Sequence, residues 1–213
     1  MTKMCEKLRN TIKRTLGRVM NTKTVKRFSL ACPVVPTYYA LVKTHKIPEG
    51  IDLRHLLFLV KLLSPLLHHV AAHIVNVEEF ITALNRCEIP SDTCYASFDA
   101  VSLYTNVNNT EAINAVLELL RRHHEEIHNF GMTEEDIQAL LETILKCNIF
   151  QFDGVFYAQK RGLAMGLRIA PLLAIVYLDR IERRSLTQGI VFYKRYIDDV
   201  FVIGSTALDL YDT

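Results

Sequence analysis

The stretch IVFYKRYIDDVFVIG, residues 190–204, constrains the fold more than any other part of the chain. Two runs rich in Tyr, Phe, Ile and Val flank Asp198 and Asp199, which reads as a β-hairpin with an acidic turn. Carboxylates inside so apolar a segment are costly unless something compensates them. A solvated turn is one such arrangement; a bound cation is another.

A second hairpin is predicted in IFQFDGVFYAQ, where aromatic-rich runs surround the two-residue turn Asp153-Gly154. Between and around the hairpins the pattern turns helical. An apolar helix-like stretch covers roughly residues 55–85, with His68, His69 and His73 inside it. CYASFDAVSLYTNV has a short β-like run leading into Asp99. NNTEAINAVLELLRRHHEEIH predicts a helix capped by Asn109 or Thr110, with Ile113, Val116, Leu117 and Leu120 on its buried face. A further helix opens after Gly131 with Thr133 as cap, and an apolar one runs from about residue 170 to 184. The order strand, helix, helix, hairpin, helix, hairpin implies an α+β fold with helices on one face of an antiparallel sheet. Asp99 then ends one strand beside the hairpin tip that carries Asp198 and Asp199.

Charge is unevenly spread: residues 1–50 hold 11 Lys and Arg against 2 acids, while the rest holds 14 against 21. A basic arm suits a polyanion such as nucleic acid, although an amphipathic helix through Met4, Leu8, Ile12, Leu16 and Val19, or a transit-like peptide, has the same composition. Five cysteines with no C-x-x-C pair indicate neither a disulfide framework nor a zinc knuckle. No span of about 18 uncharged apolar residues occurs. The expectation is a soluble intracellular protein, nuclear or cytoplasmic, not secreted and without a membrane partner.

An acid at a strand end beside an acid pair at a turn has the elements of a two-metal phosphoryl-transfer site, in which ions about 3.5 to 4 Å apart assist in-line displacement. Acid pairs at turns are common, so the residues alone leave that open. FDAVSLYTNV (98–107), GLAMGLRIAPLLAIVYLDRIE (162–182) and RYIDDVF (195–201), in this order, resemble the three central palm motifs of reverse transcriptases, in particular the Penelope-like element and telomerase-related branch. PTYYALVKTHK (36–46) is similar to the finger segment of Penelope-like enzymes.

The resemblance implies a right-hand polymerase palm with partial fingers: a basic arm over 1–35, a fingers-like segment over 36–95, and a palm-like core over 96–213 continuous with it. It implies that Asp99 and Asp198 ligate two Mg²⁺ ions, with Mn²⁺ as an alternative, that Asp199 lies beside them and that the backbone of Ala100 is a further ligand. Tyr104 matches the steric gate under the incoming sugar. Gly162 and Gly166 match glycines of a nucleotide- and template-approaching loop. Tyr196 and Ile197 fill the first places of the Y-x-D-D box near the primer end, and Lys43, Lys46 and Arg54 lie where relatives grip triphosphate or template. The partners implied are an RNA template, a DNA primer and a deoxynucleoside triphosphate.

Gly166 is followed by Leu167, Arg168, Ile169, Ala170 and Pro171, where the family usually reads G-S-P-L-S-P. The chain stops shortly after the Y-x-D-D box, so the expectation is a retroelement fragment without its thumb, either an RNA-directed DNA polymerase or a non-catalytic nucleic-acid-binding or structural remnant. HEEIH, residues 124–128, fits a zinc-protease pattern, but it reads as a solvated helix end. His69 and His73 read as ordinary core or surface histidines.

Overall fold

The computed structural model describes residues 54–146, 148–152, 155–186 and 189–205, together with Asn10, Arg14 and Arg18. Lys43, Lys46, the finger segment 36–46 and the Asp153-Gly154 turn lie outside the described residues. No helix among the described residues is long and apolar enough to cross a membrane.

The predicted helix over 55–85 is broken into pieces. Helix α1 (Arg54–Leu63) gives way to a 3₁₀ helix at Ser64–His69, and helix α2 (Val77–Asn85) starts anew. The cause is local. Pro65 supplies no amide for the α-helical ladder, Val70 is extended, and the side chain of Asn76 accepts the Glu79 amide at 2.8 Å to cap α2.

Strand β1 (Thr93–Asp99) leads into the short helix α3 (Leu103–Asn106) and then helix α4 (Asn109–Arg122). The cap of α4 is Asn108, one residue earlier than expected; its side chain accepts the amides of Thr110 and Glu111 at 3.0 and 3.2 Å. Ile113, Val116, Leu117 and Leu120 are buried as their spacing requires. Helix α5 (Glu134–Lys146) starts with a reciprocal cap: Thr133 Oγ1 accepts the Asp136 amide, and Asp136 accepts the Thr133 amide, both at 3.2 Å. Arg18 donates to the same Asp136 carboxylate at 2.9 Å.

Strands β2 (Ile149–Phe152) and β3 (Val155–Ala158) pair antiparallel, with Phe152 opposite Val155, as the predicted hairpin requires. Helix α6 (Ala170–Ser185), begun by Pro171, precedes strands β4 (Ile190–Tyr196) and β5 (Asp199–Ser205). The main sheet has the order β1-β5-β4, antiparallel throughout. Beyond β4 the chain at Ala72–Ile74 runs alongside: Arg195 N donates to Ala72 O at 2.7 Å, and Ile74 N donates to Arg195 O at 3.0 Å. This gives the β4 edge backbone partners.

One apolar core joins α1, the 3₁₀ helix, α3, α4, α5 and α6, with Leu63, Leu66, Val116, Leu141 and Leu173 at its centre. Each such side chain contributes about 1.5–3 kcal/mol on burial. Glu182 of α6 meets Tyr193 and Arg195 of β4, whereas Phe80 of α2 meets Phe192 and Phe201 edge-on. Neighbouring residues of a strand point to opposite faces. Helices α2 and α6 therefore lie on opposite faces, which corrects the expectation of helices on one face.

Arg195, in β4, is completely buried. Its Nε and one terminal nitrogen donate to the Glu182 carboxylate at 2.5 and 3.1 Å, the same terminal nitrogen reaches Ile175 O at 3.1 Å, and the other donates to Ile197 O at 2.8 Å. Arg195 also holds down the protonation of the half-buried His73 imidazole: burial first and this nearby cation second push its pKa below the usual histidine value. Removing one member of a buried pair strands the other. Arg195→Met is expected to lower unfolding free energy by about 3–5 kcal/mol in urea titration, with partial recovery in the Arg195→Met/Glu182→Leu double variant. An unchanged Arg195→Met midpoint would contradict this role.

Candidate active site at the strand ends

The acidic residues meet at one end of the main sheet. Asp99, last in β1, stands directly opposite Asp199, first in β5, and Asp199 is in turn opposite Tyr196, last in β4. Ile197 and Asp198 form the two-residue turn between β4 and β5. Ala100 N donates to Asp198 O at 3.0 Å, which joins the exit of β1 to that turn. Asp99, Ala100, Asp198, Asp199, Tyr196 and Ile197 are thus brought together as the hairpin reading required.

The turn is built under strain. Ile197 has φ +55°, a left-handed conformation that a β-branched residue adopts only at a cost of about 1–3 kcal/mol. Two contacts hold it: its side chain packs against the main core, and its carbonyl accepts the Arg195 guanidinium. Sequence reading missed Arg195 and Glu182 as supports of this turn. A signal existed, since a cation in the middle of an apolar strand needs an internal acid, and Glu182 lies within a mostly apolar helix.

Among the described residues none of Asp99, Asp198 and Asp199 forms an ion pair. Like charges directly opposite one another across antiparallel strands repel, so the Asp99–Asp199 pair is unfavourable by itself. Asp99 and Asp199 are exposed and Asp198 is half-buried, which leaves their oxygens open to solvent-borne partners. Carboxylate and carbonyl oxygens are hard donors, the chemistry that Mg²⁺ and Mn²⁺ take.

Tyr104, on α3, belongs to the same neighbourhood. Burial first, and the Asp198 charge second, push its hydroxyl pKa up, so it stays a neutral donor. Its backbone fixes the loop before α6: Leu163 N donates to Tyr104 O at 2.6 Å. Gly162 sits against this segment with φ +71°. A Cβ there would lie 2.5 Å from Tyr104 O, 2.7 Å from Thr105 Cα and 2.7 Å from Thr105 O. Backbone cannot yield as a flexible side chain would, so only glycine fits.

Other expected site residues are placed less closely. Gly166 is exposed, with φ +92°, further along the same loop. Arg54 opens α1. Lys43 and Lys46, as stated, lie outside the described residues. The HEEIH pattern does not form a zinc-protease helix, because α4 ends at Arg122 and His124 to Glu126 follow in a turn. His124 instead contacts Arg121 O, and the His128 ring meets Phe130 edge-on.

The chain is similar to known proteins. Residues 2–211 match the reverse transcriptase (RNA-dependent DNA polymerase) family. The chain is 25% identical over 156 residues to the telomerase reverse transcriptase of Arabidopsis thaliana, an alignment that covers 70% of this chain but 12% of that protein. Among solved structures, apo telomerase from Candida tropicalis has a TM-score of 0.51 at 12% identity, covering 72% of this chain and 31% of that one. Telomerase from Candida albicans with a fragment of telomeric RNA also has a TM-score of 0.51 at 12% identity, covering 76% and 30%. This chain spans about an eighth of the length of the curated relative.

Gly162→Ala is expected to displace the loop before α6 and to lower the thermal midpoint by several degrees, since about 1 kcal/mol shifts a domain of this size by ~2–4 °C and the strained contact exceeds that. Gly166→Ala, at an exposed position, serves as the comparison. Equal effects of the two substitutions in calorimetry would contradict the close approach assigned to Gly162.

Proposed function

Because the chain belongs to the reverse transcriptase (RNA-dependent DNA polymerase) family, we propose that it is the palm, with part of the fingers, of an RNA-directed DNA polymerase of Penelope-like retroelement type. The reaction is attack of a primer 3′-hydroxyl on the α-phosphate of a deoxynucleoside triphosphate, with an RNA strand as template and pyrophosphate as leaving group. The observation that carries this reading is the meeting of Asp99, Asp198 and Asp199 at one sheet end, in register and, among the described residues, without an ion-pair partner.

Asp99 and Asp198 would hold two divalent ions, with Asp199 beside them and the Ala100 carbonyl as a further oxygen donor. Bound there, Mg²⁺ or Mn²⁺ would favour the ionised primer hydroxyl and offset charge developing on the phosphate. The protein's own part is positioning. The strained turn and the Arg195 contact hold Asp198 against β1, so little reorganisation is needed when substrate arrives.

Tyr104 would pack beneath the incoming sugar, where its ring leaves no room for a 2′-hydroxyl, the group that separates ribonucleotides from deoxynucleotides. Its contact with Gly162 and Leu163 keeps that ring and the loop before α6 at fixed spacing. Gly162 and Gly166 would allow template and nucleotide close to the backbone, and Tyr196 would face the primer end. Lys43, Lys46 and Arg54 would supply cations for triphosphate or template.

The test is extension of a DNA primer on an RNA template with deoxynucleotides and Mg²⁺ or Mn²⁺, comparing the chain with Asp198→Asn. Wild-type extension that falls by at least about 10²-fold in the variant is the expected result. RNA binding without extension by the wild type would contradict catalysis and favour the non-catalytic remnant.

A further inference from the structure

Far from the acidic turn in sequence, three metal-ligating side chains meet that neither the fold nor the proposed reaction uses. His69 ends the 3₁₀ helix, His123 caps the C-terminus of α4, and Glu126 stands three residues beyond it. The imidazole rings of His69 and His123 stack with centroids 3.5 Å apart and planes 16° from parallel. Glu126 spans both: one carboxylate oxygen is 3.1 Å from His123 Nδ1 and the other 3.5 Å from His69 Nε2. One ligand atom from each of the three residues lies within 4.8 Å of the others.

We propose that His69, His123 and Glu126 form a binding site for a borderline transition dication, Zn²⁺ first among them, that clamps the 3₁₀ helix to the end of α4. Imidazole nitrogens with one carboxylate select zinc and its neighbours over Mg²⁺ or Ca²⁺, so the donor set differs in kind from the all-oxygen cluster at the strand ends. Zinc–nitrogen and zinc–oxygen bonds of about 2.0–2.2 Å place tetrahedral donors roughly 3.3–3.6 Å apart; the His123 Nδ1–Oε1 separation of 3.1 Å and the His69 Nε2–Oε2 separation of 3.5 Å, each to a different oxygen of Glu126, leave a small side-chain adjustment to bring three donors onto one ion. The two histidine side chains are 20% and 26% exposed while that of Glu126 is 61% exposed, so the open side leaves a fourth position for water.

The ligand backbones are held independently of any metal. Arg183, itself paired to Asp179 at 2.7 Å, donates to His69 O at 2.9 Å, and His123 N donates to Leu119 O at 3.2 Å. Coordination places a metal in the plane of each imidazole. The stacked rings must therefore splay by side-chain rotation, a local change that leaves both helix ends in place. The sequence separation of His69 and His123 explains why motif reading passed over the site: HEEIH draws the eye to His124 and His128, whereas the ligating neighbour is His123.

The inference is independent of polymerase activity, and so is its test. Chelator-treated protein is titrated with ZnCl₂ in a calorimeter, and its thermal midpoint is followed with and without the metal. Expected is saturable 1:1 binding and a higher midpoint with zinc, each weakened at least tenfold or abolished in His69→Gln and in His123→Gln, and retained in the His124→Gln/His128→Gln control. The exposed Glu126→Gln serves as the variant least disturbing to the fold, and should weaken binding by about 10–100-fold. No saturable binding by the wild type, or binding that Glu126→Gln and His123→Gln leave unchanged, would overturn the site.

Discussion

The buried Arg195–Glu182 pair is the contact on which the arrangement of the acidic residues depends. A guanidinium removed from water is tolerable only if its donors are satisfied, and here four N–H groups find Glu182, Ile175 O and Ile197 O. Glu182 accepts in addition from the Tyr193 hydroxyl at 2.9 Å; burial and the carboxylate together drive that phenol's pKa far up. One charged group thereby fixes helix α6, strand β4 and the β4–β5 turn relative to one another. An apolar pair of the same volume could fill the space, but it could not bind the turn carbonyl.

That carbonyl belongs to the strained residue. Ile197 in a left-handed conformation is unfavourable alone, and the turn persists because core packing and the Arg195 bond over-determine it. The result is a tight connection that leaves Asp198 in the turn and Asp199 at the head of β5, opposite Asp99. Gly162 works in the same way on the other side: backbone meets backbone too closely for any side chain, which fixes the loop against Tyr104. The acidic end of the sheet is thus positioned mainly by main-chain geometry, with few side chains engaged and the carboxylates left open.

Much of this was legible in the sequence where a local rule applied. Period-two aromatic and β-branched runs around a short polar turn marked both hairpins, and apolar spacing marked the buried face of α4. Placement of Asp99 beside the hairpin followed from element order alone. Less legible were features fixed by distant partners. Pro65 and Asn76 broke the predicted helix over 55–85, and a local reading should have weighed them more heavily. The choice of Asn108 over Asn109 or Thr110 as cap depends on where the chain leaves α3, which no local pattern states. The role of Arg195 required knowing that Glu182 faces β4. Phe80 packing opposite α6 likewise depended on contacts with Phe192 and Phe201, which are distant in sequence.

The central claim is that the three carboxylates at the strand ends form one divalent-cation site. Its most direct measurement is the count of Mn²⁺ bound to the purified chain by electron paramagnetic resonance, for the wild type, Asp99→Asn and Asp198→Asn. The account predicts saturable Mn²⁺ binding that both substitutions weaken sharply while the folded state persists. Equal Mn²⁺ binding by all three proteins would contradict it.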